Sequence, residues 1–213
     1  MLAEAKLAEK NAETKRSEDR LAKIAAKEAT TLFRQGQITR AEHQAKLAEI
    51  GAEKVIILND LSASYEWNIP NLSNVLFVKG SITSDIDLKR VFREKPTCIF
   101  HLAAFFANQN FVDYPEKDLL VSQLGTIKVL EYAVLSGNIK RFVYAGSGCA
   151  IYGAQAPLPL KEEFISMNLS TPYQISKMAG ELYCNFYHHH YGLPIVKTRF
   201  FNSYGPGEVP GQY

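Results

Sequence analysis

The sequence predicts an α/β protein, a doubly wound parallel sheet preceded by a helical arm. Three observations carry this reading. Short β-branched or aromatic runs recur along the chain: KVIIL (54–58), NVLFV (74–78), CIFHLAA (98–104), RFVYA (141–145) and PIVKTRF (194–200). Helical stretches at 85–94, 116–136 and 172–191 lie between several of them. The runs are almost continuously apolar rather than alternating, the pattern of strands covered by helices on both faces.

The arm comes first. Residues 2 to about 34 are rich in Ala, Glu, Lys and Leu and contain no Gly or Pro, which gives them strong helical propensity. From Glu9 to Arg20 almost every residue is polar or Ala, so this helix has no apolar stripe to set against a core and is expected to be solvated or to borrow a partner. A turn at Gln35-Gly36-Gln37 follows. Thr39-Arg40-Ala41-Glu42 then has the capping-box pattern, opening a helix that runs to about Ile50 and stops at Gly51. The change of texture at Gly51 divides the chain into a helical segment, 1–50, and an α/β domain, 51–213.

Size and composition bound the function. With 213 residues and 46% hydrophobic content the chain can bury a sizeable core. A formal net charge of +2, without a basic run interleaved with aromatics, gives no argument for a nucleic acid or a membrane surface as partner. Cys98, Cys149 and Cys184 are odd in number, widely spaced and outside any CxxC pattern, which fits free thiols in a reducing compartment, by default the cytoplasm. The N-terminal residues have scattered charges and no apolar run of signal-peptide or membrane-span length. No residue set reads as a metal site. His188, His189 and His190 are consecutive on a helix, about 100° apart, and cannot chelate one ion together. Trp67, in SASYEWNIPN, reads as loop packing.

The chemistry sits late in the chain. Tyr173 and Lys177, at i and i+4, share a helix face, so an ammonium can lie near a phenol, favour its ionised form and make it a base for an alcohol proton. Ser147 is the hydroxyl of AGSGCAIYG, at the carboxyl end of the RFVYA strand, where ligands bind in a doubly wound sheet. It could hydrogen-bond the same substrate oxygen.

VIILNDLSAS, FHLAA, LGTIKVLEYA, RFVYAGSGCAIYG, TPYQISKMAGELY and RFFNSYGPGE, in this order and spacing, resemble the extended short-chain dehydrogenase/reductases, specifically the NAD-dependent nucleotide-sugar epimerase/dehydratase family. The resemblance covers about residues 51 to 213 and implies a Rossmann-like fold and a mechanism. Tyr173 would deprotonate a sugar hydroxyl while NAD takes a hydride from the carbon beneath it. Lys177 would lower the Tyr173 pKa and hold the nicotinamide ribose, and Ser147 would bind the sugar oxygen. His101, Leu102, Ala103 and Ala104 match the segment lining the cofactor, and Asn202 matches a residue contacting the sugar diphosphate. Ser147 sits in a loop one residue longer than the usual form, so its register could shift.

Several positions depart from the pattern. The family's first strand and GxxGxxG loop, which hold the NAD pyrophosphate, have no counterpart, and the Ala/Glu/Lys-rich segment stands in their place. The acidic residue after the second strand is Asn59, with Asp60 next to it as the candidate ribose ligand. Ser81, followed by Ile82, replaces the Asp of the family's GDI-like turn, and Ser122 replaces the Asn before LGT. The family's smaller substrate domain follows YGPGEVPGQY, where this sequence ends, so that domain is expected to be absent. The sheet is accordingly expected to be incomplete. Its lost strand is central, in the order 3-2-1-4-5-6, and the edges it leaves cost roughly 1–3 kcal/mol per buried unpaired group, against a folding margin of about 5–15 kcal/mol. Direct pairing of the flanking strands, a strand from another chain, or cover by the N-terminal helices would each relieve this.

Two functional expectations follow. One is a nucleotide-sugar epimerase/dehydratase, UDP-sugar 4-epimerase-like in parentage, with NAD as cofactor. The other is a non-catalytic module derived from such an enzyme that binds a partner or forms a homo-oligomer through the arm.

Overall fold

The computed structural model describes residues 53–105, 110–153 and 156–201. The expected arm, residues 1–50, lies outside the described residues, as does Asn202. Within them, five strands alternate with helices in the expected order. β1 (Val55–Asn59) and β2 (Val75–Lys79) form one sheet, and β3 (Cys98–His101), β4 (Arg141–Ser147) and β5 (Ile195–Phe200) form another in the order β3-β4-β5. Both β3–β4 and β4–β5 pair in parallel. Trp67, in the connection before β2, stacks on Tyr65 with ring centroids 4.2 Å apart and stays largely exposed.

Among the described residues β1 does not pair with β3, which excludes direct pairing as the answer to the expected gap. Among the described residues β3 pairs with β4 alone. Where the apolar run CIFHLAA reads as a strand buried on both faces, Cys98 and Phe100 are exposed, Phe100 by 69%. β4, flanked on both sides, buries Phe142 and Tyr144 to Ser147. β3 also ends at His101, before Leu102, Ala103 and Ala104, because the chain there turns out of the sheet and the Phe105 amide is taken by Ser122 Oγ at 3.0 Å.

The helices follow from local signals. α1 (Asp85–Phe92) is capped by Ser84, whose hydroxyl accepts from the Asp87 amide at 3.3 Å. α2 (Asn110–Asp113) precedes α3 (Pro115–Asp118), which runs on through a π-helical stretch, Leu119–Leu124, into α4 (Gly125–Ser136). The continuous run Pro115–Ser136 is long and apolar enough to cross a membrane by length and composition. It packs against α1 and the long helix described next, and buries Asp118, Ser122 and Thr126 in the protein. α5 (Gly148–Tyr152) follows β4 directly, with Ser147 as its cap.

α6 (Pro172–Tyr191) matches the expected 172–191 stretch at both ends, since both ends are encoded. Thr171 Oγ1 accepts from the Gln174 amide at 3.2 Å while Gln174 Oε1 accepts from the Thr171 amide at 3.2 Å, with Pro172 at the first helical position. Gly192 closes the helix at φ 68°, its amide reaching the His188 carbonyl at 2.9 Å.

Leu88 of α1, Leu130 of α4, Phe142 and Tyr144 of β4 and Cys184 of α6 meet in one core, each contributing about 1.5–3 kcal/mol where a large apolar side chain is fully buried. Gly180 lets α6 approach β4. A Cβ there would lie 2.0 Å from the Tyr144 hydroxyl oxygen, and the Tyr144 ring is buried and cannot swing aside. Gly180→Ala is therefore expected to destabilise the fold by about 1–3 kcal/mol through overpacking, seen as a lower midpoint in urea unfolding. An unchanged midpoint would mean that α6 does not pack this tightly on the sheet.

Candidate functional site

The parallel register brings the carboxyl ends of β3, β4 and β5 to one rim, with His101 opposite Tyr144 and Ser147 opposite Phe200. α6 crosses this sheet, delivering Tyr173 and Lys177 to the end of β4. Lys177 is 5% exposed, and its ammonium donates to the Ala145 carbonyl at 2.7 Å. It lies 5.5 Å from the centroid of the Tyr144 ring and 5.8 Å from that of Tyr173. Burial pushes Lys177 down to about 8, opposed by the charge of Asp118.

Ser147 shares a side-chain hydrogen bond with Tyr173. The Ser147 oxygen also accepts from the Ala150 amide at 3.3 Å, which leaves its proton free to point at the phenol. The structure thus brings Ser147, Tyr173 and Lys177 together. Spacing alone suggests a phenol held down by the neighbouring ammonium, yet Tyr173 is held above its ordinary value. Burial raises it, Ser147 opposes this by its hydrogen bond, and Asp118 and Cys149 raise it further.

Of the expected cofactor-side residues, His101 is buried and acts as a structural group. Its Nε2 lies 2.8 Å from Thr126 Oγ1, and the Thr126 proton is already given to the Ser122 carbonyl at 2.6 Å, so Nε2 carries the hydrogen and donates. Leu102 is exposed at the rim, beside the half-buried Ala103 and Ala104. Ser81 spends its side chain within its turn, 2.9 Å from Thr83 Oγ1, while its amide donates to Asp87 Oδ2 at 3.0 Å. Ile82 is buried against Gly125, where a Cβ would lie 2.5 Å from Ile82 Cδ1. Asp60 is exposed after β1 and accepts from the Ser62 amide at 2.9 Å, just as Asn59 accepts from the Leu61 amide at 2.7 Å.

Sequence reasoning missed Asp118. It is 1% exposed and accepts from Ser122 Oγ at 2.9 Å and from Ser176 Oγ at 2.5 Å. The signal available was faint, a carboxylate one helical turn before Ser122 in a stretch that reads as a solvated helix start. Glu181 was also passed over. It holds Arg199 of β5 through two bonds of 2.9 Å, tying α6 to the sheet edge.

A model of the NAD dependent epimerase/dehydratase family matches residues 15–213, beginning upstream of the motif blocks near Gly51. The chain belongs to this family. A UDP-glucose 4-epimerase from Mycolicibacterium smegmatis is 36% identical over 160 residues, 73% of this chain and 50% of that protein. Among solved structures, the epimerase Mth375 from Methanothermobacter thermautotrophicus is 59% identical with a TM-score of 0.75, covering 80% of this chain and 50% of its own. The Thermus thermophilus UDP-glucose 4-epimerase, solved in complex with NAD, is 31% identical with a TM-score of 0.71, covering 80% and 54%. The chain thus spans about half the length of the relatives it matches.

The residues present fit the family's dinucleotide at one end. Lys177 is a buried ammonium with one of its three protons bonded to protein, and the other two have no acceptor among the described residues. That donor set suits a pair of ribose hydroxyls.

The His101 ring makes an acid prediction. Burial, helped by the Lys177 charge, holds it down to about 3. Its folded value lies below its unfolded value, so the stability it confers is full above about pH 6.5 and is lost as the pH falls toward 3. The total is on the order of 5 kcal/mol. His101→Gln is expected to flatten this limb, measured as the slope of unfolding free energy between pH 7 and 4. An equally steep limb in the variant would place the acid sensitivity elsewhere.

Proposed function

We propose that this chain carries the proton-transfer centre of a nucleotide-sugar epimerase/dehydratase, with a UDP-hexose as the substrate class. The observation that supports it is the convergence of Ser147, Tyr173 and Lys177 at the carboxyl rim of β4. Tyr173 takes the proton of a sugar hydroxyl, and Ser147 holds the same oxygen. Lys177 steadies the phenolate and reaches the ribose of the cofactor. NAD, when bound, accepts the hydride from the carbon that carries that hydroxyl. Because burial holds the phenol up and the Ser147 hydrogen bond opposes it, Tyr173 depends on Ser147 to become a base at all. Asn202, outside the described residues, is assigned to the sugar diphosphate, and Asp60 to the adenosine ribose.

The experiment is incubation of the chain with NAD and UDP-glucose, following formation of the 4-epimer by chromatography. Tyr173→Phe is expected to lower the rate about 10²–10⁴-fold with an unchanged circular dichroism spectrum. A variant as fast as the parent chain would remove Tyr173 from the chemistry. A parent chain that neither turns over nor binds NAD more tightly than weak micromolar, by fluorescence titration, would favour the interaction-module reading.

One observation also favours self-association. Ile175, Leu182 and Phe186 form an exposed stripe at heptad-like spacing on α6, and Leu119, Leu120 and Leu124 are exposed on the neighbouring helical run. A second copy of the chain is the proposed occupant. Mass measurement in solution is expected to give a dimer that Leu182→Asp converts to monomer, and a monomeric parent chain would refute this.

A further inference from the structure

The polar cluster around Asp118 has a direction built into it. The Phe105 amide and the Gln123 side-chain NH2 can only donate. Phe105 N donates to Ser122 Oγ at 3.0 Å, and Gln123 Nε2 donates to Ser176 Oγ at 2.9 Å. Each serine has one proton, and each proton is therefore left for Asp118, from Ser122 to Oδ1 and from Ser176 to Oδ2. Both carboxylate oxygens accept, and an acid proton on either would have no acceptor. Asp118 is thus a carboxylate anion at 1% exposure, and among the described residues no cation lies within ion-pair distance of it.

A buried anion needs compensation from somewhere. Ser176 precedes Lys177 on α6, and Lys177 is the buried cation whose charge Asp118 favours. The other titratable groups facing the ammonium are His101 from β3, Tyr144 from β4 and Tyr173 on its own helix, and burial drives each toward its neutral form. The opposing charge comes from Asp118. On its other side the cluster grips Phe105, the residue that follows the rim segment Leu102–Ala104.

We propose that Asp118 is a positioning residue that docks the Tyr173–Lys177 turn of α6 onto the rim beyond β3 through the Ser122 and Ser176 hydroxyls, and that its negative charge keeps the Lys177 ammonium charged. It rests on the reading of Lys177 as the working lysine of the site. The test reads Lys177 directly and needs no turnover, so a chain that proves inactive leaves it standing, and its failure leaves the Tyr173 chemistry standing.

The extent of acetylation of Lys177 by a trace of acetic anhydride, quantified by mass spectrometry from pH 6 to 11, gives its titration in the full chain, with the more exposed Lys197 as internal reference. Lys177 should titrate near 8 in the parent chain. In Asp118→Asn, which keeps the shape and loses the charge, the midpoint is expected to fall by about one unit while Lys197 stays put. Ser176→Ala keeps the charge and removes a donor, so Lys177 should titrate at or above its parent value. An unmoved midpoint in Asp118→Asn overturns the proposal. So does an equal fall in Ser176→Ala, which would trace the effect to a loosened helix. Should Asp118→Asn fail to fold, the carboxylate is a structural group and the proposal also falls, whatever Ser176→Ala shows.

Discussion

The buried ammonium of Lys177 is the constraint on which the site depends. A lysine at 5% exposure must be desolvated, and the described residues supply a carbonyl, two aromatic rings and the charge of Asp118 in return. This fixes where α6 can lie, because the helix must bring Lys177 to the Ala145 carbonyl while Gly180, nearly one turn on, rests against Tyr144. The Tyr144 hydroxyl returns the contact by donating to the Lys177 carbonyl at 3.4 Å. With the helix so placed, Tyr173 falls beside Ser147 without any further adjustment. The geometry of the candidate site and the packing of the helix are the same arrangement seen from two sides.

The arrangement also explains why the electrostatics oppose one another. Burial that fixes the side chains pushes the phenol up and the ammonium down, both away from an ion pair of phenolate and ammonium. The groups that resist are Ser147, by its hydrogen bond to the phenol, and Asp118, by its charge acting on the ammonium. With Lys177 held at about 8 and the Tyr173 phenol held up, a charged ammonium sits beside a neutral phenol at neutral pH, and the phenol's proton has to be drawn out by what binds at the rim. That is consistent with a proton transfer coupled to the arrival of a ligand.

Much of this was legible in the sequence, and the exceptions have physical causes. The strands could be read because buried parallel strands are apolar on both faces, and each observed strand overlaps its expected run. The ends of α6 could be read because Thr171, Pro172, Gln174 and Gly192 are local signals. Tyr173, Lys177 and Ser147 could be read because helix spacing and a strand end fix their neighbourhood. Asp118 could not, since its burial is made by partners far away in sequence, with Ser176 58 residues on. The direction of the Tyr173 shift was illegible for the same reason, as spacing reports the neighbouring cation but not the solvent removed around the ring. His101 was read by resemblance as part of a cofactor-lining segment, and its side-chain bond to Thr126, 25 residues on, was not legible.

The open side of β3 is where sequence and structure argue most closely together. A strand whose residues are apolar on both faces was selected to be covered, yet Phe100 is exposed and β1 is not its neighbour among the described residues. Edge amides of such a strand invite another strand. The chain runs from this strand directly into the rim segment that holds Leu102 and Phe105. Asp118 acts on the same segment from the helix side, through Ser122 and the Phe105 amide. Among the described residues the rim beyond β3 is therefore held from the helix side by this polar clamp. The clamp ties the Leu102–Ala104 segment, through Phe105 and Ser122, and Lys177, through the adjacent Ser176, to one carboxylate, so their relative position is set by Asp118.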